Sequence, residues 1–338
     1  MATRLMVLAT LGARLIVSST RSRSIGYVIL AGNDFPDTVL DKVRAWDLSV
    51  HVKAKPKMPS TRGLLKYQDG NFGRKWSQVC RDLRIPIDLT RTCDAGKTFQ
   101  YLTTPLQPCP PDLRRPELLQ SRAFHFLATP QDLEEHMRSL LSLRTEGCPD
   151  AKPPLMIWEP APLACKKVNL EAHLAACKHV DVVSPNHLEL TALLEDDDAV
   201  RESVSATFSR AVIEQYAGRF LEAMANKGLV VIRCGEHGCL MFSRRSGAQW
   251  LPAYHEPFSP KVVDTTGAGN AFLGGFTVGL LDTGDAREAG MYGSVAASFM
   301  TEQISVPTHR PATPTSSETW NGESVDERMA EYRKRIAL

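Results

Sequence analysis

The chain has 338 residues, is 43% hydrophobic and 23% charged, and carries a formal net charge of +2. That length fits one large α/β domain or two small ones, the composition is that of a globular chain, and the balanced charge gives no case for nucleic acid as a partner. No run of about 18 apolar residues is present, so no membrane span is expected. Eight cysteines with no CxxC pair, and nine histidines with no HExxH, point to reduced thiols in a cytosolic protein and against a structural metal site.

The first 33 residues lack Asp and Glu but include Arg4, Arg14, Arg21 and Arg23. Such a composition is similar to a mitochondrial targeting segment. A structural role for the segment is preferred, so a cytoplasmic location is favoured over a mitochondrial one. Ile25–Leu30 then predicts a strand. Thr38–Trp46 predicts an amphipathic helix, with Val39, Leu40, Val43 and Trp46 on one side. Strands are expected at Thr61–Tyr67 and Thr98–Leu102. Between them, Trp76–Lys97 shows neither a helical nor a strand period, which is uncommon for so long a stretch in a compact domain. Joining Gly73-Arg74-Lys75 directly to Thr98 leaves a plausible hairpin.

Ala123–Leu127 and Leu155–Pro160 read as buried parallel strands. The helix between them, Gln131–Arg144, places Leu133, Met137, Leu140 and Leu141 at helical spacing. The rhythm continues through Val180–Ser184 and Leu229–Arg233, a doubly wound α/β pattern. Right-handed crossovers put the strand C-termini on one edge, where ligands bind. Asp196–Asp198 reads as a solvated loop. After Val306, Pro307, Pro311 and Pro314 with clustered Thr and Ser predict a flexible linker. Asp326–Ile336 predicts a short charged helix, docked or mobile.

The most informative stretch is Val263-Asp264-Thr265-Thr266-Gly267-Ala268-Gly269-Asn270-Ala271-Phe272. Lys261-Val262-Val263 reads as a short strand, and Phe272, Phe276 and Leu280 share a helical face. The grammar is strand, glycine turn, helix. Gly267, Ala268 and Gly269 leave their amides unshielded, and the helix start adds unpaired N–H groups and a positive dipole end. Such a turn suits a phosphate or a phosphoryl group in flight.

This stretch resembles the DTxGAGD signature of the PfkB (ribokinase-like) sugar and nucleoside kinases. The resemblance covers residues 8–306 apart from the 76–97 insert. It runs nearest to the fungal branch related to the yeast killer-virus maintenance protein, on the LGARL segment, the STRG-like segment and an asparagine at the base position. It implies an α/β fold: a ribokinase-like three-layer α/β/α sandwich with a small β lid at about 60–105. One such domain would span 1–306, with the linker and helix over 307–338. In the family the last aspartate of the signature is the general base; here it is Asn270, which can orient a hydroxyl but cannot take its proton. General-base help is worth roughly 10²–10⁴-fold, whereas phosphoryl transfer rests mostly on positioning and charge.

By the same resemblance, Gly267, Ala268 and Gly269 form the anion hole. Asn186 and Glu189, in Ser184-Pro185-Asn186-His187-Leu188-Glu189, match the NxxE motif that acts near Mg²⁺ and the ATP phosphates, with Glu189 reaching the ion through water. Glu189 also suits a capping box with Ser184 or Asn186. Gly235 and Gly238 match a GxxG turn that lies against the nucleotide, and Ala297 falls on a small-residue helix near the adenine, where ordinary close packing is the other reading. In many relatives the backbone around Asp264 and Thr266 holds K⁺; for Asp264 the N-cap is the preferred reading and the ion the alternative. Arg62 lies in the lid and faces either an anionic substrate or solvent.

The family places a central strand, a substrate-gripping aspartate and a glycine pair before the matched region. Their absence here is expected to leave two open sheet edges, as in an N-terminally shortened gene product. The 76–97 insert reads as a retained intron in frame or as a loop insertion near the substrate mouth. The implied function is ATP-dependent phosphorylation of a sugar or nucleoside hydroxyl, with a nucleotide-binding pseudokinase acting through a partner protein as the alternative. A third reading is a non-productive splice product without a stable fold. Some relatives dimerise through lid strands and others do not, so a homodimer stays open.

Overall fold

The computed structural model describes residues 2–67, 91–94, 97–195 and 208–337. The acidic Asp196–Asp198 and most of the 76–97 insert lie outside these residues.

Six strands form the main sheet, in the order β11 (Gly247–Leu251), β10 (Cys239–Ser243), β9 (Leu229–Arg233), β8 (Val182–Val183), β7 (Leu155–Pro160), β6 (Ala123–Ala128). β6 to β9 run parallel, while β10 and β11 are antiparallel. The apolar runs of β7 to β9 are buried on both faces, as parallel strands require. Alternation sorts their side chains between two cores. Ile157, Val182 and Val231 face a cluster with Phe272, Phe276 and Phe299. Trp158, Val183, Val230 and Ile232 face one with Leu133, Leu140 and Phe220. One helical layer therefore contains α1 (Ala2–Ile16), α8 (Ala268–Thr283) and α9 (Ala286–Thr301). The other contains α4 (Pro130–Gly147), α5 (Leu170–Ala176), α6 (His187–Leu194) and α7 (Arg210–Ala223). This is the three-layer sandwich that the resemblance implies.

β1 (Gly26–Gly32) and β2 (Ser49–Lys55), joined through α2 (Asp37–Arg44), form a separate parallel pair. Tyr27 and Ile29 enter the first core. Val28 and Leu30 pack instead with Leu106 and with Leu118 of α3 (Pro116–Leu119). Among the described residues no ladder joins β1 to β6, so the sheet is split and two edges are open, as the resemblance implies. β6 is accordingly only half-buried over most of its length, unlike β7 beside it.

The lid is a three-stranded antiparallel sheet, β3 (Gly63–Tyr67), β5 (Lys97–Tyr101) and β4 (Arg91–Asp94), with β5 central. β3 and β5 pair as the hairpin argument predicts. β4, however, falls inside the stretch expected to have no strand. Arg62 pairs with Asp34 at 2.6 Å.

Two further differences matter. Residues 261–263 are not a strand; Val263 and Asp264 instead donate to the Thr301 carbonyl at 2.7 and 3.0 Å, which hangs the approach to the glycine turn from the end of α9. Residues after Val306, expected to be a flexible linker, are tied down. β12 (His309–Arg310) pairs with β13 (Thr319–Trp320), Trp320 is 1% exposed, and α10 (Val325–Ile336) buries Tyr332 completely. Arg328 of α10 is buried between Glu302 at 2.9 Å and Glu323 at 2.6 Å, and stacks on Phe299. The apolar face of α10 found a partner surface that composition does not reveal.

Candidate active site

The C-terminal ends of β7, β8 and β9 carry Glu159, Ser184 and Arg233, and the N-terminus of α8 lies against them. Gly267, with φ of 83°, is the N-cap of α8, a left-handed conformation that favours glycine. A side chain there would also collide with Leu8 of α1. The expected capping role of Asp264 is corrected: its carboxylate accepts from Thr266 N at 2.9 Å within the turn, three residues before the helix cap. The Ala268 amide, expected to be open, donates to the Thr265 carbonyl at 3.2 Å. The Gly269 and Asn270 amides have no backbone acceptor among the described residues. The first turn of α8 therefore holds two N–H groups without a backbone acceptor among the described residues.

Asn270 is 6% exposed, and its Nδ2 donates to Glu159 Oε2 at 2.9 Å. Glu159 can only accept, so the amide nitrogen must turn toward it and Oδ1 faces elsewhere. Glu159 Oε1 lies 2.9 Å from Arg233 Nη1, and His125 Nε2 lies 3.1 Å from Oε2 without the angle of a hydrogen bond. Burial alone would raise the Glu159 pKa. Arg233 first, then the His125 ring and the Asn270 amide, outweigh that and hold the carboxyl below its ordinary range.

Arg233 joins three of the sequence motifs. Nη2 donates to the Ser184 carbonyl at 2.8 Å and lies 3.7 Å from Glu189 Oε2. Its backbone N–H donates to the Pro185 carbonyl, and Asn186 bridges to it as a parallel strand neighbour. A Cβ on Gly269 would lie 2.5 Å from Nη1, so the guanidinium sits against the glycine turn. Asn186 and Glu189 form a reciprocal capping box: Glu189 N donates to Asn186 Oδ1, and Asn186 N to Glu189 Oε2, both at 2.8 Å. The alternative weighed from sequence is thus present, with Asn186 as the capping partner.

Gly235 and Gly238 close the β9–β10 turn with φ of 56° and 87°. Cys234 N donates to the Gly238 carbonyl at 2.7 Å, and a side chain on Gly238 would strike the Leu251 carbonyl. Ala297 is half-buried on α9. α9 packs closely on α8 because Gly275 and Gly293 have no side chain to hold the helices apart. Among the described residues no three His, Cys, Asp or Glu side chains gather as a metal cage. Glu159 and Arg233 were not singled out by the motif reading. Each closes a strand, one before Pro160 and one before Cys234-Gly235, and that position at the ligand edge is the signal a sequence offers.

The profile of the pfkB family carbohydrate kinases matches residues 117–312. An uncharacterized protein of Schizosaccharomyces pombe is 28% identical over 345 residues, covering 97% of this chain and 85% of its own. Protein MAK32 of Saccharomyces cerevisiae is 26% identical over 338 residues, covering 98% of this chain and 84% of its own. Among solved structures, the ribokinase of Giardia lamblia superposes with a TM-score of 0.63 at 14% identity, over 98% of this chain and 88% of that one, a likeness of fold. With more than half of its length matched by the family profile and with this sandwich, the chain belongs to the pfkB carbohydrate kinase family.

Proposed function

We propose that the protein transfers the terminal phosphoryl group of ATP to a hydroxyl of a sugar or nucleoside. The observation that carries this reading is the helix start with two amides lacking a backbone acceptor among the described residues, at Gly269 and Asn270, next to a largely buried guanidinium. Gly267, Ala268 and Gly269 shape the anion hole, with the Ala268 amide bracing the turn. Asn270 presents Oδ1 to the acceptor hydroxyl. The acceptor oxygen bonds to the γ-phosphorus as the bond to ADP breaks, and the hydroxyl proton leaves to water. Gly235 and Gly238 let the nucleotide approach the backbone, with Ala297 beside the base.

Mg²⁺ bound to the phosphates would neutralise charge that develops on them. The residues fit an ion held mostly by phosphate and water, with Asn186 and Glu189 in the outer shell. Around Arg233, Glu159 and Glu189 together bring one negative charge more than the guanidinium offsets. K⁺ near Asp264 and Thr266, one kinase body over 1–306 and a homodimer through the lid belong to the same reading.

A second reading, a nucleotide-binding pseudokinase acting through a partner, is favoured by the amide at Asn270. Thermal unfolding with and without Mg-ATP tests binding, since a ligand of the native state must raise the midpoint. A panel of sugars and nucleosides with radiolabelled ATP then separates the two. Labelled product supports the kinase. A raised midpoint with no product on any acceptor supports the pseudokinase, and no shift at all removes both.

A further inference from the structure

We propose that Arg233 is the anion ligand of the glycine turn, held in waiting by Glu159, so that an arriving phosphate and the Glu159 carboxylate compete for one guanidinium. The inference rests on the reading that this turn receives a phosphate. It adds a specificity residue outside the turn itself.

Four observations carry it. Arg233 Nη1 lies against Gly269, the residue with an open amide, and the absence of a side chain at 269 is what admits it. The guanidinium is not saturated: Nη1 meets Glu159, Nη2 meets the Ser184 carbonyl, and the buried Nε has no partner among the described residues. The side chain is 11% exposed, so its charge is poorly screened by water. Glu159 also accepts from the Asn270 amide at 2.9 Å and has the His125 ring 3.1 Å away, so its carboxylate has polar neighbours besides the guanidinium. A phosphate offers several oxygens and up to two charges to a planar fork of donors, whereas Glu159 now engages it through a single nitrogen. A structural ion pair would make both partners necessary in the same direction. Competition makes them opposite.

The test is calorimetric titration of the full chain with inorganic pyrophosphate. Glu159→Gln keeps an acceptor for Asn270 and removes the competing charge, and is expected to bind pyrophosphate about tenfold more tightly than the wild type. The double variant Glu159→Gln/Arg233→Gln keeps a neutral hydrogen-bonded pair and is expected to bind at least about tenfold more weakly than the wild type. Circular dichroism and the ligand-free unfolding midpoint establish that each variant folds, and Arg233→Lys supplies a second, charge-conserving probe of intermediate affinity. Glu159→Gln binding no tighter than the wild type, a double variant with wild-type affinity, or no binding by either wild type or Glu159→Gln overturns the proposal. Arg233-dependent binding without phosphoryl transfer leaves it standing while removing the kinase reading. Transfer that is indifferent to Arg233 does the reverse.

Discussion

Asn270 and Glu159, 111 positions apart in the chain, share a buried hydrogen bond of 2.9 Å from amide to carboxylate. Asn270, at the position where the resemblance implies a base, is thus already paired, and its partner is an acid.

Asn270→Asp would place two carboxylates in contact instead of restoring a base. One of them must hold a proton, so its pKa is raised in the folded state. The penalty is absent below the unfolded carboxylate range and grows as pH rises through the raised value. Thermal midpoints from pH 4 to 8 should show a loss of about 1–3 kcal/mol at neutral pH. Adding Glu159→Gln should recover most of it. A single variant whose midpoint tracks the wild type across that range contradicts this pairing.

Gly269→Ala brings a methyl group to 2.5 Å from Arg233 Nη1, so the guanidinium must move. The Mg-ATP-induced rise in midpoint should shrink by at least half, with the ligand-free midpoint little changed because the obstructing atom ends a flexible side chain. Gly267→Ala should behave differently. It meets Leu8 and strains a left-handed residue, at a cost of about 1–3 kcal/mol without ligand, readable by urea unfolding.

Glu302 is held down to about pH 2. Burial would raise its pKa, but contacts from His255, Asn321 and Arg328 outweigh it. A depressed pKa contributes stability above the unfolded value, and that contribution is lost as pH falls from about 4.5 toward 2. Glu302→Gln should therefore lower the midpoint at pH 6 and bring it closer to the wild-type value at pH 3. An equal loss at both pH values would contradict this linkage.

Trp320→Ala should cost about 3–5 kcal/mol, as for other buried large-to-small aromatic changes. Trp320 belongs to the same core as Phe276 and Tyr332. Wild-type stability in urea would mean that the tail contributes nothing to the body.

Period and punctuation alone determined the main layers. Runs such as Leu229–Arg233, short, β-branched and followed by a glycine turn, read as buried strands, and Gly267 with Gly269 two positions on marks a backbone turn. Where the sequence misled, the cause is long-range. Residues 261–263 look like a strand, but Lys261 and Val262 turn back onto Ser259 and Val263 donates to Thr301; the linker-like segment leads into Trp320, which a core closes around. The site divides in the same way. Its turn, its Asn186–Glu189 cap and its glycine hairpin are local and legible, because each is made within a few residues. Glu159 and Arg233 are ordinary strand-end charges until β7 and β9, the parallel strands on either side of β8, bring them to 2.9 Å beneath Gly269. Only the sheet order decides that, since a charge has no meaning for a site until packing removes water and fixes its partner.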